Sequence, residues 1–318
     1  RLEALCNFNR HPVFNFKLIL AIFIMKFLIA IGSKDYSGST LELGMRVAKA
    51  INAAVDIVYV GEKISAFSTS EVKLAQENLD NWELDRKGVD ALQWAYEYLV
   101  ENKYIRSDSE NSDFNTDKLV QTDDDRCEVH LEGRMTQEVG LILRNGDIIQ
   151  QLRDEVKRSG IDVMIIGGSG ERRMAHDLVQ YIDSSIFVVN QFDPNQKYRL
   201  LLAVNDSMGT KGAVKFGVRV AQAFKIDVDI LTVSKVDRFG DGYKGAAERA
   251  GKFMRRTGIH YQNIYRVGDP SEIIKNEAGD NHIVIMGASS KNPLMKFFKG
   301  SKPLKVMEVC PCPILIVK

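Results

Sequence analysis

Two stretches of the chain decide the fold: KFLIAIGSKDYSGSTLELGMRVAKAINAAVDIVYV at residues 26–60 and RLLLAVNDSMGTKGAVKFGVRVAQAFKIDVDILTV at residues 199–233. They align without a gap. Each opens with an apolar run, continues through residues with helical spacing and closes with a second apolar run. Five residues of the middle part are identical in both stretches; in the first they are Gly44, Arg46, Val47, Ala48 and Ala50. Self-similarity of this kind indicates a duplicated structural unit.

The similarity resumes later in the chain with different spacing. The motif Arg-x-Gly-Asp occurs at 144–147 and again at 266–269. The first copy carries extra residues before this motif and lacks a few before its last apolar run. We therefore predict two unequally edited copies of one domain. The predicted parts are an amino-terminal extension at 1–25, a first domain at 26–190, a linker at Phe192–Tyr198 and a second domain at 198–318.

The pattern inside each copy alternates strand and helix. Leu41, Met45, Ala48 and Ile51 recur at the spacing of one helix face. The short apolar runs have the length and β-branched content of strands that are buried on both faces. They fall at 27–31, 55–60, 163–167, 186–189, 200–204, 228–233, 283–287 and 314–317. This alternation predicts an α/β fold with two tandem, doubly wound parallel sheets.

Most of the extra residues of the first copy fall within 61–138. Glu71–Asn102 has the pattern of a long helix. Ser107–Asp125 is rich in acidic and small polar residues, which predicts a mobile loop. Such a loop either docks a basic partner or remains a solvated excursion.

Composition narrows the class of protein. The chain has 318 residues, 43 Lys and Arg against 42 Asp and Glu, and 45% hydrophobic residues. These values exclude a wholly disordered or fibrous chain, and the near-neutral charge gives no general attraction to nucleic acid or an anionic membrane. The cysteines are too few for a disulfide scaffold, which predicts a reducing, cytoplasmic compartment. They are Cys6, Cys127, Cys310 and Cys312.

The amino-terminal segment leaves two interpretations open. Phe14–Ile31 is almost all apolar, interrupted by Lys17 and Lys26, and its length is marginal for a transmembrane helix. The residues from Met25 onward are typical of a cytoplasmic chain that opens into its first buried strand. We expect residues 1–24 to be an upstream extension, with a membrane anchor as the alternative.

Ligands of open parallel sheets bind beyond the carboxyl ends of the strands, where the strand order reverses. In the second copy the loop at that place runs from Gly287 to Gly300 and ends before Ser301. The loop contains one helix start, at Asn292-Pro293, a second follows it at Ser301, and the loop is rich in lysine. Free backbone N–H groups and positive charge favour phosphate binding, although a solvated basic face with ordinary caps has the same pattern.

The spacing Gly287-x2-Ser290-x9-Gly300-Ser301, followed by the ending at Lys305–Val317, resembles the universal stress protein family. The resemblance spans both copies, so the chain looks like a tandem universal stress protein. It implies two five-stranded α/β sandwiches of the adenine nucleotide alpha hydrolase type, packed as a pseudo-dimer through their last strands. It also implies a non-enzymatic stress or signalling module that responds to ATP or AMP, and it allows a homodimer.

The resemblance also implies which residues of the second copy would bind a nucleotide. They are Val204, Asn205, Asp206, Val233, Met286, Gly287, Ser290, Gly300 and Ser301. Three features depart from the family pattern: Asn205 replaces an aspartate, Ser290 replaces a glycine, and Pro303 removes a backbone N–H. In the first copy Gln180-Tyr181 stand where the Gly-Ser pair belongs, so we expect only the second copy to bind.

Other chemistry finds little support in the sequence. No Walker motif, Ser–His–Asp order or metal spacing is present, and we expect surface or capping roles for the histidines. Cys310 and Cys312 are expected to pack at the start of a buried strand. The alternatives are an interaction or lipid-binding protein that uses the insertion, and a slow ATPase in which Asp206 or Asp269 polarises a water.

Overall fold

The computed structural model describes residues 24–61, 86–106, 119–123, 125–168, 175, 177–179, 182–288 and 302–318. In the first half the strands are β1 Lys26–Ile31, β2 Ala54–Gly61, β3 Val120–Asp123, β4 Arg126–Glu132, β5 Glu138–Asn145, β6 Val163–Gly167 and β7 Ser185–Val189. In the second half they are β8 Arg199–Ala203, β9 Val228–Ser234, β10 Tyr261–Val267, β11 His282–Gly287 and β12 Ile314–Val317. The helices are α1 Lys34–Ile51, α2 Arg86–Glu101, α3 Ile148–Ser159, α4 Gly209–Phe224, α5 Asp241–Arg256, α6 Pro270–Ala278 and α7 Lys302–Val309.

The twelve strands of the described residues lie in one sheet, in the order β10-β9-β8-β11-β12-β7-β6-β1-β2-β5-β4-β3. Five strands of each half are parallel and follow the same order, with the first strand in the middle. The two halves meet where β12 pairs with β7 in the antiparallel direction, with Ile314 opposite Val188. The predicted doubly wound α/β fold and the joining of the copies through their last strands are therefore confirmed.

The strand order reverses at the first strand of each half. In the second half β8 lies between β9 and β11, and in the first half β1 lies between β2 and β6. Each half consequently has a crevice position at the carboxyl ends of these central strands.

The glycine repeated in both copies lets a helix pack closely on its first strand. A Cβ at Gly44 of α1 would lie 2.8 Å from Cδ1 of Ile29, and one at Gly217 of α4 would lie 3.2 Å from Cδ2 of Leu200. Because protein interiors are close-packed, a methyl group at Gly44 would require the Ile29 side chain to shift.

The repeated Arg-x-Gly-Asp motif is a structural turn. Gly146 and Gly268 have φ of 139° and 142°, a region that favours glycine. Asp147 accepts a hydrogen bond from the Gln150 N–H and Asp269 accepts one from the Ser271 N–H, so each aspartate caps the following helix. Asp269, which the ATPase alternative assigns to polarising a water, thus has a structural role as a helix cap.

The insertion differs from its predicted structure. Val120–Asp123, part of the predicted mobile loop, is strand β3, and it pairs with β4. β4 in turn pairs with β5 in the antiparallel direction and extends the sheet of the first half. Polar side chains on β3 masked its strand character, because it is an exposed edge strand whose backbone pairs on one side only. Within the predicted helix 71–102, the described helical part is α2; residues 62–85 and 107–118 lie outside the described residues.

In the part of the chain that the structure describes, no helix is both long and apolar enough to cross a membrane. Residues 1–23 of the predicted extension lie outside that part.

Candidate functional site

One crevice lies at the carboxyl ends of β8, β9 and β11. Five of the sequence-predicted residues line it together: Val204, Asn205, Val233, Met286 and Gly287. The other described residues that line it come from β8, β9, α5, α6 and the start of α7. They are Ala203, Leu231, Tyr243, Pro270, Ile274 and Pro303.

The remaining predicted residues are placed differently. Asp206 is exposed and lines a neighbouring groove between α4 and α5, where a Cβ at Gly242 would lie 3.1 Å from the Asp206 Cβ. Ser290, Gly300 and Ser301 lie outside the described residues, as does most of the basic loop. The described crevice therefore contains five of the nine predicted residues, and three of the others lie outside the described residues.

Asn205 has a fixed orientation. Its side-chain oxygen Oδ1 accepts hydrogen bonds from the Ser207 N–H at 3.0 Å and from the Thr210 hydroxyl at 2.8 Å. The Ser207 N–H can only donate, so the amide oxygen must face it and the amide nitrogen Nδ2 is the group left for other partners. Asn205 therefore offers two N–H donors rather than an acceptor.

The first half has the same turn without this side chain. The Asn205 N–H donates to Oγ1 of Thr210 at 3.2 Å, and in the equivalent place the Gly32 N–H donates to Oγ of Ser37 at 2.7 Å. Gly32 has no polar side chain. The two copies therefore share the backbone turn, and they differ here only in the side chain, which is an amide at Asn205 and absent at Gly32.

Gly287 is required by the close approach of two backbones. A Cβ at Gly287 would lie 2.3 Å from the carbonyl carbon of Gly209, and a Cβ at Gly209 would lie 2.6 Å from the backbone oxygen of Ala288. The start of α4 is thus held directly against the end of β11. This contact explains the glycine without reference to a ligand, and it also fixes the width of the crevice.

The crevice is small and mostly apolar. The space between its walls is about 50 Å³, whereas sites for small molecules usually measure about 300–1,000 Å³. Among its described lining residues, Asn205 and Tyr243 supply the polar side-chain groups. A ligand of nucleoside size requires the walls to move apart.

His282 is buried and so does not have the predicted surface role, but it does have the alternative capping role, because it contacts the carbonyl of Ala278 at the end of α6. This side chain is buried at the start of β11, where its Nε2 lies 3.0 Å from Oδ2 of Asp229 and its Nδ1 lies 2.7 Å from the Ala278 carbonyl oxygen. Burial opposes ionisation of Asp229, but hydrogen bonds from His282, Arg199 and Gln262 outweigh it and lower the Asp229 pKa. The partner of His282 is distant in sequence, which is why no local pattern revealed it.

No group of three or more His, Cys, Asp or Glu side chains suited to a metal ion occurs among the described residues. Among the residues that the sequence did not predict, two carry polar side chains at or beside the crevice, Thr210 and Tyr243. Thr210 left a signal, because Ser37, its aligned counterpart in the first copy, also carries a hydroxyl. The sequence contains no comparable signal for Tyr243. This residue lies on α5, and no motif on that helix indicates that it contacts the ends of the strands.

Comparisons with known proteins agree with this architecture. The model of the universal stress protein family matches residues 198–318. A universal stress protein from Archaeoglobus fulgidus is 13% identical, with 92% of this chain and 96% of that chain covered and a TM-score of 0.58. A putative universal stress protein from Pseudomonas aeruginosa is 13% identical, with 93% and 94% covered and a TM-score of 0.59.

The cytoplasmic domain of a prokaryotic cation chloride cotransporter is 10% identical, with 92% of this chain and 95% of that chain covered and a TM-score of 0.50. Among curated proteins, none matches the chain. At these identities the structural likeness shows the fold alone: both halves together have the architecture of the solved relatives.

Proposed function

We propose, from the match of residues 198–318 to the model of the universal stress protein family, that the chain is a nucleotide-responsive stress-response protein without strong catalysis. ATP or AMP is the proposed ligand, and the second half is its proposed site. The observation that carries this proposal is the crevice beside Asn205, at the reversal of strand order in the second half.

The proposed roles follow from the chemistry of the walls. Val204, Val233 and Met286 offer apolar contact to a planar base. The Asn205 amide nitrogen donates to an acceptor on the base or ribose. Ser290, Gly300 and Ser301 are the proposed contacts to phosphate, with Gly287 at the base of their loop. Asp206 remains a proposed contact from the neighbouring groove.

The first half is proposed to act as a structural or partner-binding surface. It has Gly32 where the second half has Asn205, and Gln180-Tyr181 where the family has Gly-Ser. We propose that the two halves work as one intramolecular pseudo-dimer, that the chain is cytoplasmic, and that it binds no nucleic acid. A homodimer of whole chains is compatible with this arrangement.

The small size of the crevice affects the affinity that we expect for a nucleotide. Binding must widen a space of about 50 Å³, and the free energy of that movement is subtracted from the affinity. We therefore expect modest affinity.

Isothermal titration of the full chain with ATP and with AMP tests the proposal. The Asn205→Ala and Gly300→Asp variants should lose most of the binding heat, and Gly32→Ala, at the equivalent place in the first half, should bind as the unchanged chain does. Circular dichroism melts confirm that each variant folds. Absence of heat with both nucleotides, or equal binding by Gly300→Asp, would remove the nucleotide part of the proposal.

A further inference from the structure

Two thiols lie in contact at the bend between α7 and β12. The sulfur atoms of Cys310 and Cys312 are 3.1 Å apart, and the residues are 4% and 1% exposed. Pro311 separates them and Pro313 follows, so the bend has little backbone freedom. A disulfide requires an S–S distance of about 2 Å. The two sulfur atoms need only a small approach to form one.

The first half holds this bend in place. The side-chain nitrogen of Asn190, just after β7, donates to the backbone oxygens of both Cys310 and Cys312 at 3.3 Å. The Cys310 N–H donates to the Val306 oxygen at 2.8 Å. These contacts order the backbone on each side of the thiols. Much of the conformational entropy that ring closure would otherwise cost has therefore already been lost on folding.

Packing alone does not require thiols at this bend. The aligned residues of the first half, just before β7, are Ile182 and Ser184, which are 1% and 3% exposed. The same fold thus buries the corresponding bend with one aliphatic and one hydroxyl side chain. A pair of cysteines in contact is specific to the second half.

We propose that Cys310 and Cys312 are an oxidation site: when a hydroperoxide oxidises them, they form a disulfide with each other. The Cys310 thiolate attacks the peroxide oxygen, the O–O bond breaks, and the sulfur becomes a sulfenic acid while hydroxide leaves and takes up a proton. The Cys312 sulfur then attacks the sulfenic sulfur, its proton goes to the departing hydroxyl group, and water leaves. Two thiols and one hydrogen peroxide become one disulfide and two waters.

The contact between the thiols assigns the order of attack. The Cys312 S–H can donate to the Cys310 sulfur, which lowers the Cys310 pKa, while burial opposes that shift. The same contact, together with burial, raises the Cys312 pKa. Since the thiolate is the nucleophile, Cys310 reacts first and Cys312 closes the ring.

Cys127 supplies an internal control. It is half-buried on β4, and burial raises its pKa. Of the described cysteines, only Cys310 and Cys312 contact each other. Cys6 lies outside the described residues and is replaced by serine in the test protein.

The test is peptide mass spectrometry of the full-length Cys6→Ser chain after hydrogen peroxide treatment and alkylation. Trypsin releases both cysteines in the single peptide 306–318 and Cys127 in the peptide 127–134. The expected result is a form of 306–318 that has lost two hydrogens, resists alkylation and regains both thiols with dithiothreitol. Fragmentation separates this change from oxygen added at Met307.

The Cys312→Ser variant separates the two chemical steps. It should stop at a sulfenic acid on Cys310, which dimedone traps, and it should never lose two hydrogens. The proposal is overturned if 306–318 keeps two alkylatable thiols after Cys127 has been oxidised. It is equally overturned if its cysteines only gain oxygen, or if they cross-link to other chains.

Discussion

Oδ2 of Asp229 and Nε2 of His282 lie 3.0 Å apart, with both side chains buried at the amino ends of β9 and β11. Arg199 and Gln262 donate to the same carboxylate. The aligned carboxylate of the first half, Asp56, has the opposite electrostatic behaviour: burial and the nearby Glu155 raise its pKa to about 6. Duplication has therefore placed one carboxylate in two environments, and each environment gives a measurable prediction.

Replacement of Asp229 by asparagine should destabilise the fold. The change removes the charged acceptor that Arg199, His282 and Gln262 share, and a hydrogen bond to a charged group contributes about 1.5–3 kcal/mol, so we expect a loss of about 2 kcal/mol. Urea unfolding at pH 7 measures the loss. Asp227→Asn, which removes an exposed partner of the same Arg199, should change the free energy of unfolding by less than about 1 kcal/mol.

The same carboxylate predicts a pH dependence. Because the Asp229 pKa is lowered in the folded state, its contribution to stability is present above the ordinary carboxyl pKa of about 4 and is lost as pH falls below it. The Asp229→Asn variant should lack this part of the acid-induced loss. If the variant loses as much stability at low pH as the unchanged protein does, other carboxylates account for that loss.

Replacement of Asp56 by asparagine should stabilise the protein at neutral pH. The raised pKa of about 6 means that the folded state resists ionisation of this group. The stability it contributes is therefore present below pH 4 and is lost as pH rises through 6. Each pKa unit corresponds to about 1.4 kcal/mol. The free energy of unfolding of the variant, measured with urea, should therefore exceed that of the unchanged protein by about 2 kcal/mol more at pH 7.5 than at pH 4. An equal gain at both pH values would refute this cause.

The arginine of the repeated Arg-x-Gly-Asp motif forms an ion pair in each half, and the pair is buried in the first half and partly exposed in the second. Arg144 lies 2.8 Å from the fully buried Glu155, which Arg126 of β4 also contacts, whereas Arg266 lies 2.6 Å from the less buried Glu277 at the edge of the other half. Glu155→Ala should cost about 3–5 kcal/mol, and Glu277→Ala about 1 kcal/mol or less. Chemical unfolding of both variants measures the difference, and similar losses would contradict the burial argument.

Gly287→Ala should disrupt the crevice. The added methyl group would meet the backbone of Gly209 at 2.3 Å, so α4 must move away from the end of β11. We expect a loss of about 2 kcal/mol or more in the free energy of unfolding, together with loss of nucleotide heat. Gly240→Ala, which places its methyl group in open space at the N-cap of α5, is the matched control; it should lower the free energy of unfolding by less than about 1 kcal/mol and leave the nucleotide heat unchanged. A stable, binding-competent Gly287→Ala protein would show that the contact can relax.

The internal repeat made the architecture predictable. Strands such as β6 and β7 are buried on both faces, and uninterrupted apolar residues encode that burial directly. Strand β3 was not predictable, because an edge strand with exposed polar side chains has the composition of a loop. The two-copy alignment was also the source of the predicted asymmetry between Gly32 and Asn205.

The site was predictable only where it lies on the strands. Val204, Asn205, Val233, Met286 and Gly287 follow from the strand ends and the family resemblance, and they share one crevice. Tyr243 and Ile274 reach it from helices, and the packing angle of a helix is not encoded by the spacing of its own residues. The contact between His282 and Asp229 joins two strands that are not neighbours in sequence, and the sequence contains no local pattern for it.

Hydrogen–deuterium exchange of the full chain, with and without saturating ATP, tests the central claim most directly. If the second half alone holds the nucleotide, new protection should appear at residues 203–210 and 286–288, while the equivalent residues 30–37 and 166–168 of the first half exchange as before. Protection of the first-half segments, or no protection in either half, would contradict the proposed asymmetry.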